Sequence, residues 1–192
     1  MIGPRDLTLN QKAVLLSLAG LPSRYRHDRV YFEKVLFLLA KSDPKDLPDI
    51  DATFESWKFG PYNEYVDEVL TGLQEFGAIR GDQMELTPEG RTLASSLSSD
   101  AESARLRANL ANILSAVDSL SVDDLLYVVY RLYPEFTKNS EIKDAVRSKT
   151  LEHFTIKPDR VIAGETLSVE SDKGGKLKVR REGDRLQILP ST

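Results

Sequence analysis

Cysteine is absent from this 192-residue chain. That absence excludes disulfides and thiolate metal sites and removes the usual signature of a small secreted domain. Histidine is scarce: His27 and His153 stand far apart, and neither has a companion at ligand spacing. No apolar run approaches the roughly 18 residues that span a bilayer. The opening Met1-Ile2-Gly3-Pro4-Arg5-Asp6 lacks the apolar centre of a signal peptide. The expected setting is cytoplasmic, with no membrane partner. No phosphate loop, Gly-x-Ser-x-Gly elbow or His-Glu-x-x-His helix occurs. Asp43, Asp46, Asp49 and Asp51 lie close together, but without the glycine and closing glutamate of a calcium loop they read as a solvated loop. No catalytic residue, metal site or cofactor is expected, and the chain does not read as an enzyme.

What is present is an ordinary globular composition, 41% hydrophobic and 29% charged, with a net charge of -4. That balance argues against a general nucleic-acid binder. The acidity is concentrated. Residues 61–98 hold seven acids (Glu64, Asp67, Glu68, Glu75, Asp82, Glu85, Glu89) against two bases, Arg80 and Arg91.

The hydrophobic pattern divides the chain into a helical body and a short β segment. Thr8 with Gln11 forms a capping box for a first helix that ends at Gly20-Leu21-Pro22. A second helix, about Asp28 to Lys41, is apolar on most sides and reads as the central buried one. Residues 43–49, with two prolines and four charges, read as a loop. Trp57-Lys58-Phe59-Gly60-Pro61-Tyr62 follows: an extended piece carrying Trp57 and Phe59 into the core, with Tyr62 at the surface and Pro61 opening the next helix. In that helix, 62–75, Tyr65, Val66, Val69, Leu70 and Leu73 make one apolar face. Glu64, Asp67, Glu68 and Glu75 fall on the other side.

Gly77 closes this helix. Residues 78–80 and 83–86 flank Gly81-Asp82 as a two-residue hairpin, and Thr87-Pro88 opens a helix carrying Leu93 and Leu97. Helix, hairpin and capped helix in this order give a winged-helix unit over about 8–98. A Ser/Asp/Glu-rich hinge at Ser95–Ala104 leads to a helical extension over about 100–150. That extension holds an amphipathic helix around Leu110, a second capped by Ser121 and Asp124, and a short last helix from Glu141 to Arg147 capped by Ser140. Period-two segments Thr166–Ser171, Lys176–Arg181 and Arg185–Leu189 then form an antiparallel β-meander within 151–192. About forty residues are too few to be stable alone. The meander's apolar face therefore docks on the helices, on a second copy as a homodimer, or on a partner. The fold class is mainly α with small β.

Winged helices meet DNA chiefly through the helix before the wing, using Arg, Lys, Asn or Gln. Here that helix offers Asn63 and Gln74 but no base, and its carboxylates would be repelled by phosphates. Candidate nucleic-acid contacts lie elsewhere, at Arg24, Arg26 and Arg29 and at Lys176, Lys178 and Arg180 on one face of the meander. DNA is therefore possible but disfavoured. The candidate partner-binding residues are Tyr62, Glu64, Asp67, Glu68 and Glu75, with Trp57, Phe59, Gly60 and Pro61 as the structural motif that presents them.

The segment Val30 to Leu97, with Tyr31-Phe32-Glu33-Lys34-Val35-Leu36-Phe37-Leu38, the aromatic-Gly60-Pro61 turn and Leu86-Thr87-Pro88-Glu89-Gly90, resembles the SocA-like or Panacea group. It is more similar still to small YwgA-type proteins, a likeness that continues through Leu125–Glu135 and Asn139–Ile142. The resemblance covers roughly residues 10–147 and leaves out the meander. It implies an antitoxin-like or proteolytic-adaptor role exercised through protein contacts, with a toxin or protease-system component as partner. The expectation is a non-enzymatic regulatory protein that binds another protein; the alternative is a DNA-binding transcriptional regulator that contacts phosphates outside the acidic helix.

Overall fold

The computed structural model describes residues 3–81, 84–147, 154–157, 166–171 and 176–189. Helix α1 (Leu9–Gly20) starts on the expected capping box: the Thr8 hydroxyl accepts the Gln11 N–H, and the Gln11 side chain accepts the Thr8 N–H. In α2 (Arg29–Ser42) the Asp28 carboxylate caps the Tyr31 N–H at 2.9 Å. Every residue from Tyr31 to Ser42 is buried, so α2 is the axis around which the other helices pack.

Residues 43–49 are not simply a loop. They run into α3 (Pro48–Ala52), with Pro48 in its first turn and Ile50 fully buried. A single inward Ile leaves no periodicity to detect. The four aspartates each find a partner: Asp43 and Asp46 face Arg105, Asp49 accepts from Asn10, and Asp51 lies 3.0 Å from Lys41.

Strands β1 (Glu55–Trp57) and β2 (Gly60–Tyr62) form a hairpin in which Trp57 faces Gly60, with Lys58 and Phe59 at its tip. Pro61 therefore sits in a strand rather than opening a helix. Helix α4 (Tyr65–Glu75) begins later, behind a buried Asn63 that donates to the Ile50 carbonyl at 2.7 Å.

Helix α4 leads into β3 (Ile79–Arg80), β4 (Glu85–Leu86) and α5 (Pro88–Ser96). Arg80 pairs with Glu85, so the connection spans 81–84 and is longer than the two-residue turn expected. Asp82 and Gln83 within it lie outside the described residues. Thr87 caps α5 by accepting the Gly90 N–H at 2.9 Å.

The expected hinge at Ser95–Ala104 is tied down. The Arg107 guanidinium holds the carbonyls of Leu97 and Asp100, and buried Lys12 pairs with Asp100 and Glu102. Helix α6 (Ala104–Val117) and α7 (Val122–Leu132) then pack on α2, with the Ser121–Asp124 capping box in place. The last helix, α8 (Lys143–Arg147), starts two residues later than expected. Ser140 instead shares a hydrogen bond with the Tyr130 hydroxyl at 2.6 Å.

Strands β5 (Phe154–Lys157), β6 (Thr166–Ser171), β7 (Lys176–Glu182) and β8 (Arg185–Leu189) form one antiparallel sheet in chain order, with β5 as an additional edge. Of the three docking options, the helices take the apolar face. Leu167, Val169, Val179 and Leu186 are buried in the same core as α2. Polar clamps secure it: Arg181 forks onto Glu135 and the Leu132 carbonyl and lies over the Tyr133 ring. Lys41 reaches Asp184 from among Phe37, Tyr133 and Phe136.

Candidate interaction face

The aromatic turn faces outward, and this is the largest departure from expectation. Trp57 is 51% and Phe59 45% exposed. Alternation along β1 explains it: Ser56 is the inward residue, holding the Phe136 carbonyl and the Asn139 backbone and amide, so Glu55 and Trp57 must point away. Phe54 goes into the core instead, edge-on to Phe37 at 4.9 Å. What the hairpin buries at its base is Gly60 and Pro61 rather than an aromatic ring. Gly60, at φ +84°, lies so close to Tyr130, Leu126 and Lys34 that a Cβ there would meet the Tyr130 ring at 3.0 Å. Tyr62, expected at the surface, is instead half-buried and less exposed than Trp57 and Phe59, and its ring lies 5.9 Å from that of Trp57.

Beneath the aromatics lies a cavity of about 200 Å³ bounded by Trp57, Phe59, Gly60, Tyr62 and Val30, with charged groups behind it. Buried Glu33 accepts from Arg29 Nε at 2.7 Å and lies 3.6 Å from Lys34 Nζ. Lys34 donates to the Pro61 carbonyl at 2.7 Å, so this ammonium fixes the hairpin to α2. Burial pulls its pKa down to about 8, against the opposing pull of Glu33.

The hairpin is joined to α4 at its N-terminal end. The Tyr62 hydroxyl donates to Asp67 at 2.8 Å, which holds the phenol above its ordinary pKa. Arg29 reaches the same carboxylate at 2.9 Å. Glu64, Glu68 and Glu75 are exposed and make no ion pair with a described residue. At the far end of α4, roughly 16 Å along its axis, Phe76 is 40% exposed. The hairpin thus exposes two aromatics next to the carboxylates of α4, and Phe76 is exposed just past the end of that helix.

The groups expected to touch nucleic acid are dispersed. Arg24 covers the Tyr25 ring at 4.8 Å, and Arg29 is committed to Glu33 and Asp67. Lys176 lies 3.5 Å from Glu170 across the β6–β7 pair, while Lys178 and Arg180 share that face and are half-buried. Arg26 lines a separate cavity. Asn63 is fully enclosed and Gln74 bonds the Gly81 carbonyl, so neither is placed for base readout. His153 and the Gly174-Gly175 turn lie outside the described residues.

Sequence reasoning missed the exposure of Trp57 and Phe59 and the buried Glu33–Lys34 pair. The second left a signal: adjacent opposite charges within the apolar run Val30–Ala40 of α2. Among the described residues no group of three His, Asp or Glu is placed to hold a metal ion, and no helix is long and apolar enough to cross a membrane. Comparison with family models, with curated proteins and with solved structures finds no match to this chain.

Proposed function

We propose that this chain is a cytoplasmic, non-enzymatic interaction protein, antitoxin- or adaptor-like, that captures a polypeptide on the face formed by the β1–β2 hairpin and α4. The observation that carries this reading is the pair of large rings, Trp57 and Phe59, about half exposed on a hairpin that Lys34 and Ser56 tie to the helical body, beside a cavity. Exposed aromatics in such a position resemble the anchors of protein interfaces, where Trp and Tyr carry much of the binding energy. The carboxylates of Glu64, Glu68 and Glu75 select the partner's charge. The occupant is a segment with an apolar side chain for the cavity and Lys or Arg residues for α4. The likeness to SocA-like and YwgA-type proteins supports the same reading, and a toxin or protease-system component fits that chemistry.

The test compares the tagged full chain with a Trp57→Ala/Phe59→Ala variant, quantifying bound protein and retained DNA. The expected result is a bound protein whose affinity falls by about tenfold or more in the variant, corresponding to at least about 1.4 kcal/mol. Salt-sensitive DNA retention that Lys176→Glu, Lys178→Glu and Arg180→Glu weaken, with no protein lost from the variant, would overturn it in favour of the DNA-binding regulator.

A further inference from the structure

A second cavity, of about 370 Å³, opens on another side of the winged unit, between the end of α1, the start of α2 and the β4–α5 segment. We propose that it binds a small organic anion: a carboxylate or phosphate head on a compact aromatic or aliphatic body. This goes beyond the protein-capture reading and does not depend on it.

The cavity wall supplies the apolar half of the specificity. Leu18, Met84 and Ala94 are buried there at 5%, 7% and 8% exposure. The volume falls in the range of small-molecule sites, in which an apolar wall carries a few convergent polar groups. Arg26 and Arg91 line it with His27, and the single carboxylate in the lining is Glu85. Two guanidinium groups against one carboxylate leave positive charge in excess. Arg91 is pre-positioned, because one of its N–H groups donates to the Leu86 carbonyl at 2.6 Å. A guanidinium has five such donors in a planar fork, so others remain for a carboxylate or phosphate. The Arg26 side chain has no partner among the described residues.

Met84 adds an independent mark. Its backbone is left-handed at φ +53°, among non-glycine described residues a conformation found only here. The surroundings therefore hold a strained residue, at a cost of about 1 kcal/mol, where the hairpin meets the cavity. Met84 also lines the adjoining depression beside Arg29 and Asp67, so the anion site borders the α4 face without sharing the Trp57–Phe59 anchors.

The test is titration of the full chain with phenyl phosphate, benzoate, inorganic phosphate and benzylamine, followed by amide chemical shifts. The expected result is saturable shifts centred on Leu18, Leu86 and Ala94 with phenyl phosphate or benzoate. Inorganic phosphate should bind about tenfold more weakly or worse, and Arg26→Gln should weaken the aromatic anion by a similar factor. Arg91→Gln should act in the same direction, and Arg26→Gln alone decides the matter if that variant unfolds. Trp57→Ala/Phe59→Ala should leave the titration unchanged. Equal binding of benzylamine, equal binding of inorganic phosphate, or no saturable shift at millimolar probe would overturn the proposal.

Discussion

Gly60 shows why the hairpin stands where it does. Its left-handed backbone and the 3.0 Å approach that a Cβ would make to Tyr130 leave no room for a side chain. Gly60→Ala is expected to destabilise the fold by about 2–4 kcal/mol. Gly77→Ala is the internal comparison. Gly77 has φ +69° but open space around the missing Cβ, so only the conformational penalty of about 1 kcal/mol applies. Urea denaturation of both variants measures the difference, and equal losses would contradict the close packing at Gly60.

Lys34 makes the second residue-scale prediction. Its folded pKa, pulled down to about 8 by burial, is below the ordinary 10.5. The unfolded chain then binds the proton more tightly, so this group's contribution is fully present above about 10.5 and is lost as pH falls through about 8. The unfolding free energy of the native protein minus that of Lys34→Met should therefore rise from about pH 7.5 to about pH 9.5, a span that takes in the lower part of the interval between the folded and unfolded values. A flat difference would contradict it. Tyr31 and Tyr133 act oppositely. Burial raises both phenols above their usual range, so their contribution is lost above about pH 10 in either protein.

At the scale of elements, the terminal sheet depends on a few polar fasteners around an apolar face. Arg181 joins β7 to Glu135 and to the end of α7. Arg181→Ala should cost about 1–3 kcal/mol and speed amide exchange in β6, β7 and β8 more than in α2. Unchanged exchange in the sheet would remove that role. The elements legible in sequence were those with a repeating pattern or a cap: α1 and its Thr8–Gln11 box, the mostly apolar α2, the one-sided α4, α7 behind Ser121, and the alternating strands. Elements whose anchor is one residue or the backbone were not. Nothing in the composition of 43–52 marks Ile50 as an inward anchor, and nothing around Trp57 shows that Ser56 is the inward-facing residue. An aromatic run beside a glycine reads as core because burial is its commoner fate, yet here the core contact is made by Gly60 itself.

For the whole molecule, charge and exposed apolar surface coincide. The acidic side of α4 was legible because four carboxylates at helical spacing oppose a continuous apolar stripe, and Glu64, Asp67, Glu68 and Glu75 are exposed as that spacing requires. The exposure of Trp57 and Phe59 was not, since it depends on how the hairpin seats against α2 and α7. These surface carboxylates contribute little to stability, so Glu64→Lys/Glu68→Lys/Glu75→Lys should shift the unfolding free energy by only about 1 kcal/mol. The same variant should abolish capture of a basic polypeptide. Loss of fold, or capture undiminished in the folded variant, would contradict the proposal that α4 is the selecting face.

The most direct measurement places a photo-crosslinking residue at position 59 in living cells, with position 115 on the exposed side of α6 as control. The account predicts a discrete protein adduct from position 59 that is absent from position 115 and disappears when Trp57 is changed to Ala. Adducts to nucleic acid at position 59, or the same proteins recovered from both positions, would contradict it.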